Sequence, residues 1–135
     1  MRLIVDANII FSMLIAFGNK ACDLLFLGTV ELYAPEYLLG EIWEHEQEII
    51  DKSGFSPAQC KDALELLASK IRLIPFSEYV LFISKAESIC PDPDDVEYFA
   101  LALSLSCPLW SNDKALASQK SVKVLSTSNL LSLLR

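Results

Sequence analysis

Apolar runs too short to be helices alternate along this chain with longer stretches of helical spacing, and no other feature limits its fold as much. Leu3-Ile4-Val5, Glu31-Leu32-Tyr33-Ala34, Ile71-Arg72-Leu73-Ile74, Pro108-Leu109-Trp110-Ser111 and Val122-Lys123-Val124-Leu125 read as strands. Apolar residues at helical spacing fill 8–16, 20–27, 35–51, 57–67, 78–88 and 96–106, followed by a short helix over 113–118 and a last one over 130–134. Gly18-Asn19 separates the first two helices, Gly28 suits a C-cap, and Pro35 suits the first turn of the third. Ser56 followed by Pro57 marks another helix start, and Ser126 or Ser128 caps the last helix. Strands separated by helices pair in parallel, because parallel neighbours need crossover connections. The expectation is an α/β fold, a three-layer α/β/α sandwich around a mostly parallel sheet of four or five strands.

At 135 residues, with no Pro/Gly/Ser-rich divider, residues 1–135 are expected to form a single domain. Hydrophobic residues make up 53% of the chain, enough for a core and too many for global disorder. Apolar surface left over would be covered by a homodimer or a protein partner. No apolar run approaches the roughly 20 residues that cross a bilayer, and Asp6 interrupts the N-terminal run in a way that does not suit a signal peptide. A cytoplasmic location without membrane association is the expectation. Cys22, Cys60, Cys90 and Cys107 are scattered without metal-knuckle spacing and read as reduced core fillers. The lone His45, between Glu44 and Glu46, reads as part of a solvated helix face.

The net charge is −7, the wrong sign for a protein that grips nucleic acid through a broad basic surface. Acids neutralised by divalent cations escape that objection, so their placement matters more than their sum. Asp6 directly follows the first strand, and Asp113 follows the strand Leu109-Trp110-Ser111 with only Asn112 between. Both belong at the carboxyl edge of a parallel sheet, where such folds bind ligands. Glu41 lies in the helix after the second strand, and Asp94-Asp95 open the helix that leads to the Asp113 strand. Four segments thus deliver carboxylates to one rim.

Each acid also has an ordinary reading. Asp94 or Asp95 can be a helix N-cap, Asp113 can cap with Asn112 and Ser111 as rivals, and Glu41 can sit on a solvated helix face. Asp6 resists this, because an acid closing a buried strand is costly to desolvate without a partner and only Arg2 is near in sequence. A cluster of carboxylates repels itself unless protons or cations intervene, and Mg²⁺ or Mn²⁺ takes oxygen ligands of this kind.

These residues resemble a known family. Ile4-Val5-Asp6-Ala7-Asn8-Ile9-Ile10 is similar to the opening of PIN domains, where a strand ends in Asp and a small polar residue follows two places later. Glu41 resembles the family's second acid, and the block from Asp92 to Ala102 resembles its third, an Asp leading into a helix with alanines on one face. Leu109-Trp110-Ser111-Asn112-Asp113 resembles the fourth, a strand closing in Thr/Ser-x-Asp. The ordered set spans nearly the whole chain. The resemblance implies a PIN-like nuclease fold, a Mg²⁺ or Mn²⁺ requirement and endoribonuclease activity. Many stand-alone PIN domains of this size are toxins of the VapBC type, paired with a small antitoxin protein and often dimeric. Carried onto this sequence, Asp6, Glu41, Asp95 and Asp113 are the metal-binding and catalytic set, with Asn8 and Ser111 orienting carboxylates or water by hydrogen bonds. Asp92, Asp94 and Asp95 compete for the third position. Asp95 is preferred because Ala100 and Ala102 fall correctly relative to it, and Asp94 is the rival.

The implied chemistry is hydrolysis of an RNA phosphodiester, with Asp6, Asp95 or Asp113 beside the attacking water and Glu41 placing an ion or accepting a proton. Lys20 and Lys114 can touch flanking phosphates or simply be solvated. Two other readings stand: a non-catalytic interaction module on the same fold, and a phosphate-ester hydrolase of the haloacid dehalogenase type. The latter commonly has a second Asp two places after the first, where this chain has Asn8. RNA and a DNA flap remain open as substrates, because related acidic pockets serve both.

Overall fold

The computed structural model describes residues 1–134. Its strands are β1 (Arg2–Val5), β2 (Glu31–Pro35), β3 (Ile71–Ile74), β4 (Leu109–Trp110) and β5 (Val124–Leu125). They form one five-stranded sheet in the order β3-β2-β1-β4-β5, with every pair parallel. Eight α-helices among the described residues flank it: α1 (Ala7–Ile15), α2 (Lys20–Phe26), α3 (Tyr37–Glu44), α4 (Glu46–Ser53), α5 (Pro57–Ala68), α6 (Ile83–Ile89), α7 (Val96–Leu105) and α8 (Thr127–Leu133). The result is the expected three-layer α/β/α sandwich. Helix α7 lies across β1, β2 and β4 beside α6, while α1 meets α2, α3, α4 and α5 in the other helical layer.

The central strand β1 lies at the heart of the core. Leu3, Ile4 and Val5 are completely buried, as expected of a strand covered on both faces. Each such side chain contributes roughly 1.5–3 kcal/mol through burial. From β1 the chain winds outward through β2 to β3, then returns to the opposite side of β1 to lay down β4 and β5. The junction of β1 and β4 is therefore a topological switch point, where the carboxyl ends of parallel strands leave a crevice. Ile4 faces Leu109 and Val5 faces Trp110 in that pair.

Local chemistry sets the helix ends. Asn19 caps α2, and Ser56 and Ser126 each form a reciprocal capping box, with Gln59 and Asn129. Gly54 ends α4 at φ 76°, a left-handed conformation that costs glycine little.

Four expected boundaries are corrected. Pro35 ends β2 instead of starting a helix. It lies opposite Ile74 of β3 and beyond Tyr33, the last residue paired with β1, a position where a missing N–H is tolerated. The single helix expected over 35–51 is two, α3 and α4, broken at His45 (φ −107°, ψ 10°). The break lays α4 on α1 and buries Ile49, yet leaves Trp43 69% exposed. Spacing could not reveal this, because an unbroken helix also places Ile42 and Ile49 on one face.

The helix expected over 78–88 begins instead with 3₁₀ turns at Phe76–Glu78 and Val80–Phe82, before α6. Tyr79, between them, is drawn into the core and donates to Glu97 Oε1 at 2.6 Å. The helix expected over 113–118 is only a 3₁₀ turn at Leu116–Ser118.

Cys22 and Cys60 are buried, Cys90 and Cys107 half-buried, and all four are free thiols. His45 is exposed, with Nδ1 at 3.3 Å from Glu48 and its ring edge-on to Phe11. Among the described residues, no single helix is long and apolar enough to cross a membrane.

Candidate active site

Strand β1 runs into Asp6, and parallel pairing carries it there: the Asp6 N–H donates to the Trp110 carbonyl at 3.0 Å. Asp6 is also the N-cap of α1, its Oδ1 accepting from the Asn8 N–H at 3.3 Å. Asp6 and Ser111 are the buried polar residues of the core. The Ser111 hydroxyl donates to Asp6 Oδ2 at 2.7 Å and accepts from the Asp113 N–H at 3.1 Å. One hydroxyl thus ties the end of β1 to the turn after β4. Asp113 is exposed and accepts from the Ala115 N–H at 2.9 Å, so it also holds its own turn. Asn112 turns away, with Oδ1 accepting from the Thr127 N–H and fixing this turn to the start of α8.

Glu41 reaches the same place from the middle of α3, half-buried, with Oε1 accepting from the Tyr98 hydroxyl at 2.5 Å. Asp95 stands at the start of α7, three residues before Tyr98, and makes no capping bond. The capping work belongs to Asp92, whose Oδ1 accepts from the Asp94 N–H at 3.0 Å. Asp94 is exposed, at the side of the rim where its charge is felt by Glu41 and Tyr37.

Asp6, Glu41 and Asp95 each feel the charge of others in the group. Burial, followed by the charges of Asp6, Asp92, Glu41 and Asp113, pushes the Asp95 carboxyl up to about 7. Burial raises Asp6 too, against the lowering hydrogen bonds from Ser111 and Asn8, and the Asp113 charge adds to the rise. Glu41 is raised by burial, against the Tyr98 hydrogen bond, with Asp6, Asp94 and Glu44 adding to the rise. The structure therefore brings Asp6, Glu41, Asp95 and Asp113 into one field, with Asp94 at its edge. Among the described residues, ion pairs form only within His45, Glu48 and Lys52, so no Lys or Arg neutralises these acids. Arg2 points elsewhere, donating to the Leu105 carbonyl at 3.3 Å. Lys20 and Lys114 are exposed.

Such a donor set suits a hard divalent ion: oxygen ligands only, negative charge without a protein counter-ion, and carboxylates partly open to solvent. Among the described residues, no three acids stand close enough to grip an ion unaided. Mg²⁺ or Mn²⁺ usually keeps several waters and takes one or two carboxylates directly.

Asn8, expected to orient a carboxylate, does so for Asp6 through its backbone N–H, while its side chain is exposed. One feature of the site lay outside the sequence reading. Tyr98 reads as apolar core in the run from Val96 to Ser106. The available signal was its hydroxyl, since a buried phenol needs a hydrogen-bond partner and Tyr98 falls one turn after Asp95.

A family model described as PIN domain matches residues 4–134. No curated protein matches the chain. Among solved structures, a chain of VapBC2 from Rickettsia felis, bound to a DNA fragment from their promoter, superposes with a TM-score of 0.72 at 14% identity, covering 93% of this chain and 98% of that one. PAE2754 from Pyrobaculum aerophilum gives a TM-score of 0.66 at 15% identity, covering 99% of this chain and 89% of the other. Identities this low carry the fold alone.

Proposed function

The chain belongs to the PIN-domain family, and from that premise we propose that it is a Mg²⁺- or Mn²⁺-dependent endoribonuclease, the toxin of a toxin–antitoxin pair. The observation that carries this reading is the cation-free meeting of Asp6, Glu41, Asp95 and Asp113 at the switch point between β1 and β4. Those four acids would hold the ion, one or two directly and the others through its waters, with Asp95 as the third acid of the set and Asp94 at the rim. When bound, the ion lowers the pKa of water and offsets charge on the phosphodiester in the transition state. The chain's own groups do the rest. Ser111 and the Asn8 N–H hold both oxygens of Asp6, so that carboxylate is oriented before any ligand arrives. Asp6, Asp95 or Asp113 would stand beside the attacking water, and Glu41 would place the ion or accept a proton.

The likeness to VapBC2 supports an antitoxin protein as partner. An apolar cleft of about 150 Å³ between α3, α5 and β3, lined by Leu39, Trp43, Leu64 and Leu73, supports contact with a protein, either an antitoxin or a second copy in a homodimer. The same cleft favours the second reading, a non-catalytic interaction module with an idle acidic pocket. The absence of a membrane-length helix among the described residues agrees with a cytoplasmic site of action.

Cleavage of single-stranded RNA and of a DNA flap by the wild type and by Asp6→Asn, with Mn²⁺ or with EDTA, tests the proposal. Mn²⁺-dependent RNA cleavage lost in folded Asp6→Asn is the expected result. Undiminished cleavage by that variant, or preference for the flap, overturns the assignment of residue or of substrate. No calorimetric Mn²⁺ binding at millimolar metal favours the interaction module.

A further inference from the structure

Among the described residues, Tyr98 is the one side chain hydrogen-bonded to the acid cluster that the family's four acidic motifs leave without a role. It is 1% exposed, sits on α7 one turn after Asp95, and spends its hydroxyl on Glu41 Oε1, 57 residues away in sequence, at 2.5 Å. Tyr37 meets its ring edge-on with centroids 6.4 Å apart. Glu41, by contrast, is a half-buried side chain on a different helix, with three rotatable bonds and open water within reach. Repelled by Asp6, Asp94 and Glu44, an untethered Glu41 would swing toward solvent.

We propose that Tyr98 is a positioning residue: its buried hydroxyl holds the Glu41 carboxylate in a fixed orientation inside the acid cluster and so sets how tightly the cluster takes a divalent cation. The inference rests on the metal-nuclease reading of the site. Its physical content is preorganisation. The same helix that places Asp95 also fixes Glu41, so one rigid element sets the separation of two carboxylates from different parts of the chain. Oε1 of Glu41 is occupied by the phenol, and Oε2 has no protein donor among the described residues.

The molecule supplies its own control. Tyr79 is also 1% exposed and also gives its hydroxyl to a glutamate of α7, Glu97, at 2.6 Å. Tyr79→Phe and Tyr98→Phe therefore remove the same group from the same kind of bond, but only the second bond ends on a cluster acid. Because Glu41 is half-buried, water can replace the lost donor and Tyr98→Phe folds.

Mn²⁺ titration by calorimetry on the wild type, Y98F, Y79F, E41A and Y98F/E41A, with thermal melts of each, tests the proposal. Expected are a loss of about tenfold in Mn²⁺ affinity for Y98F, an affinity within about twofold of wild type for Y79F, and no further loss when Y98F is added to E41A. Wild-type affinity in folded Y98F, an equal loss in Y79F, or a full additional loss on the E41A background each overturns the positioning role while leaving the metal reading intact. A wild type that binds no Mn²⁺ overturns the metal reading itself and this role with it.

Discussion

Ser111 Oγ lies 2.7 Å from Asp6 Oδ2, a contact 105 residues long in sequence and fully buried. It joins the carboxyl ends of the two strands that flank the switch point, and the same oxygen accepts the Asp113 N–H. The serine is therefore both a lock on the sheet edge and the donor that orients the most buried acid. Structure and site share one atom here, so a change at Ser111 disturbs both.

Ser111→Ala removes that donor and leaves Asp6 Oδ2 buried without a partner. The expected cost is about 1–3 kcal/mol of stability and roughly tenfold in Mn²⁺ affinity, whereas Ser111→Thr, which keeps the hydroxyl, retains most of both. Parallel urea melts and Mn²⁺ titrations check this. An alanine variant as stable and as metal-competent as the wild type would show that the contact does nothing.

The pH dependence of the metal-free protein runs against the usual pattern for carboxylates. Asp95 titrates near 7 in the fold against an ordinary 3.8, so between those values the folded state holds the extra proton. Stability from this group is complete below about pH 4 and is lost as pH rises through about 7. Asp95 is half open to solvent, so screening cuts the effect to on the order of 1–2 kcal/mol. Melting temperature without metal should fall from pH 5 to pH 8, and saturating Mn²⁺ should restore it at pH 8, where the acids are ionised. A metal-free melting temperature that rises over that interval would contradict the clustering of the acids.

Tyr79→Phe tests the part of the fold that spacing misjudged. The lost hydroxyl bond to a carboxylate predicts a loss of about 1.5–3 kcal/mol and a fall in melting temperature of several degrees. Hydrogen exchange should locate the loosening in the turns before α6. A melt unchanged from wild type would mean that Tyr79 holds its place by packing alone.

Much of this was legible in the sequence because it depends on period and order. Strand–helix alternation gave the parallel sheet, and an acid ending a buried strand placed Asp6 at the crevice. What escaped depends on side chains far apart in sequence. The break at His45 keeps Ile42 and Ile49 on one face either way, so no count of apolar positions exposes it. The 3₁₀ turns around Tyr79 follow from a hydrogen bond to Glu97, and the role of Tyr98 from one to Glu41. Among Asp92, Asp94 and Asp95, spacing from Ala100 and Ala102 favours Asp95 but leaves Asp94 a rival. In the fold the Asp92 side chain caps the turn, while the charges of Asp6 and Glu41 help to raise the Asp95 carboxyl.

Asp6→Asn should separate stability from activity. Asp6 is 2% exposed, with no Lys or Arg among the described residues to offset its charge. Burial, opposed by its hydrogen bonds to Ser111 and Asn8, disfavours its ionised form, and the Asp113 charge adds to the penalty. An asparagine keeps Oδ1 for the Asn8 N–H, and its Nδ2 can donate to the Ser111 oxygen once that hydroxyl rotates away, so the cap on α1 survives and the tie to β4 reverses direction while the repulsion is removed. At pH 8 without metal the variant should melt above the wild type, by about 1–2 kcal/mol in unfolding free energy. It should also gain nothing from Mn²⁺, because an amide lacks the charge that draws the ion in. With Mn²⁺ present the order reverses, since binding to the native state stabilises only the wild type. A pair of melts, with and without Mn²⁺, decides it: an Asp6→Asn protein less stable than wild type in the absence of metal would mean that Asp6 is held mainly as a structural cap, and that the acids around it do not repel.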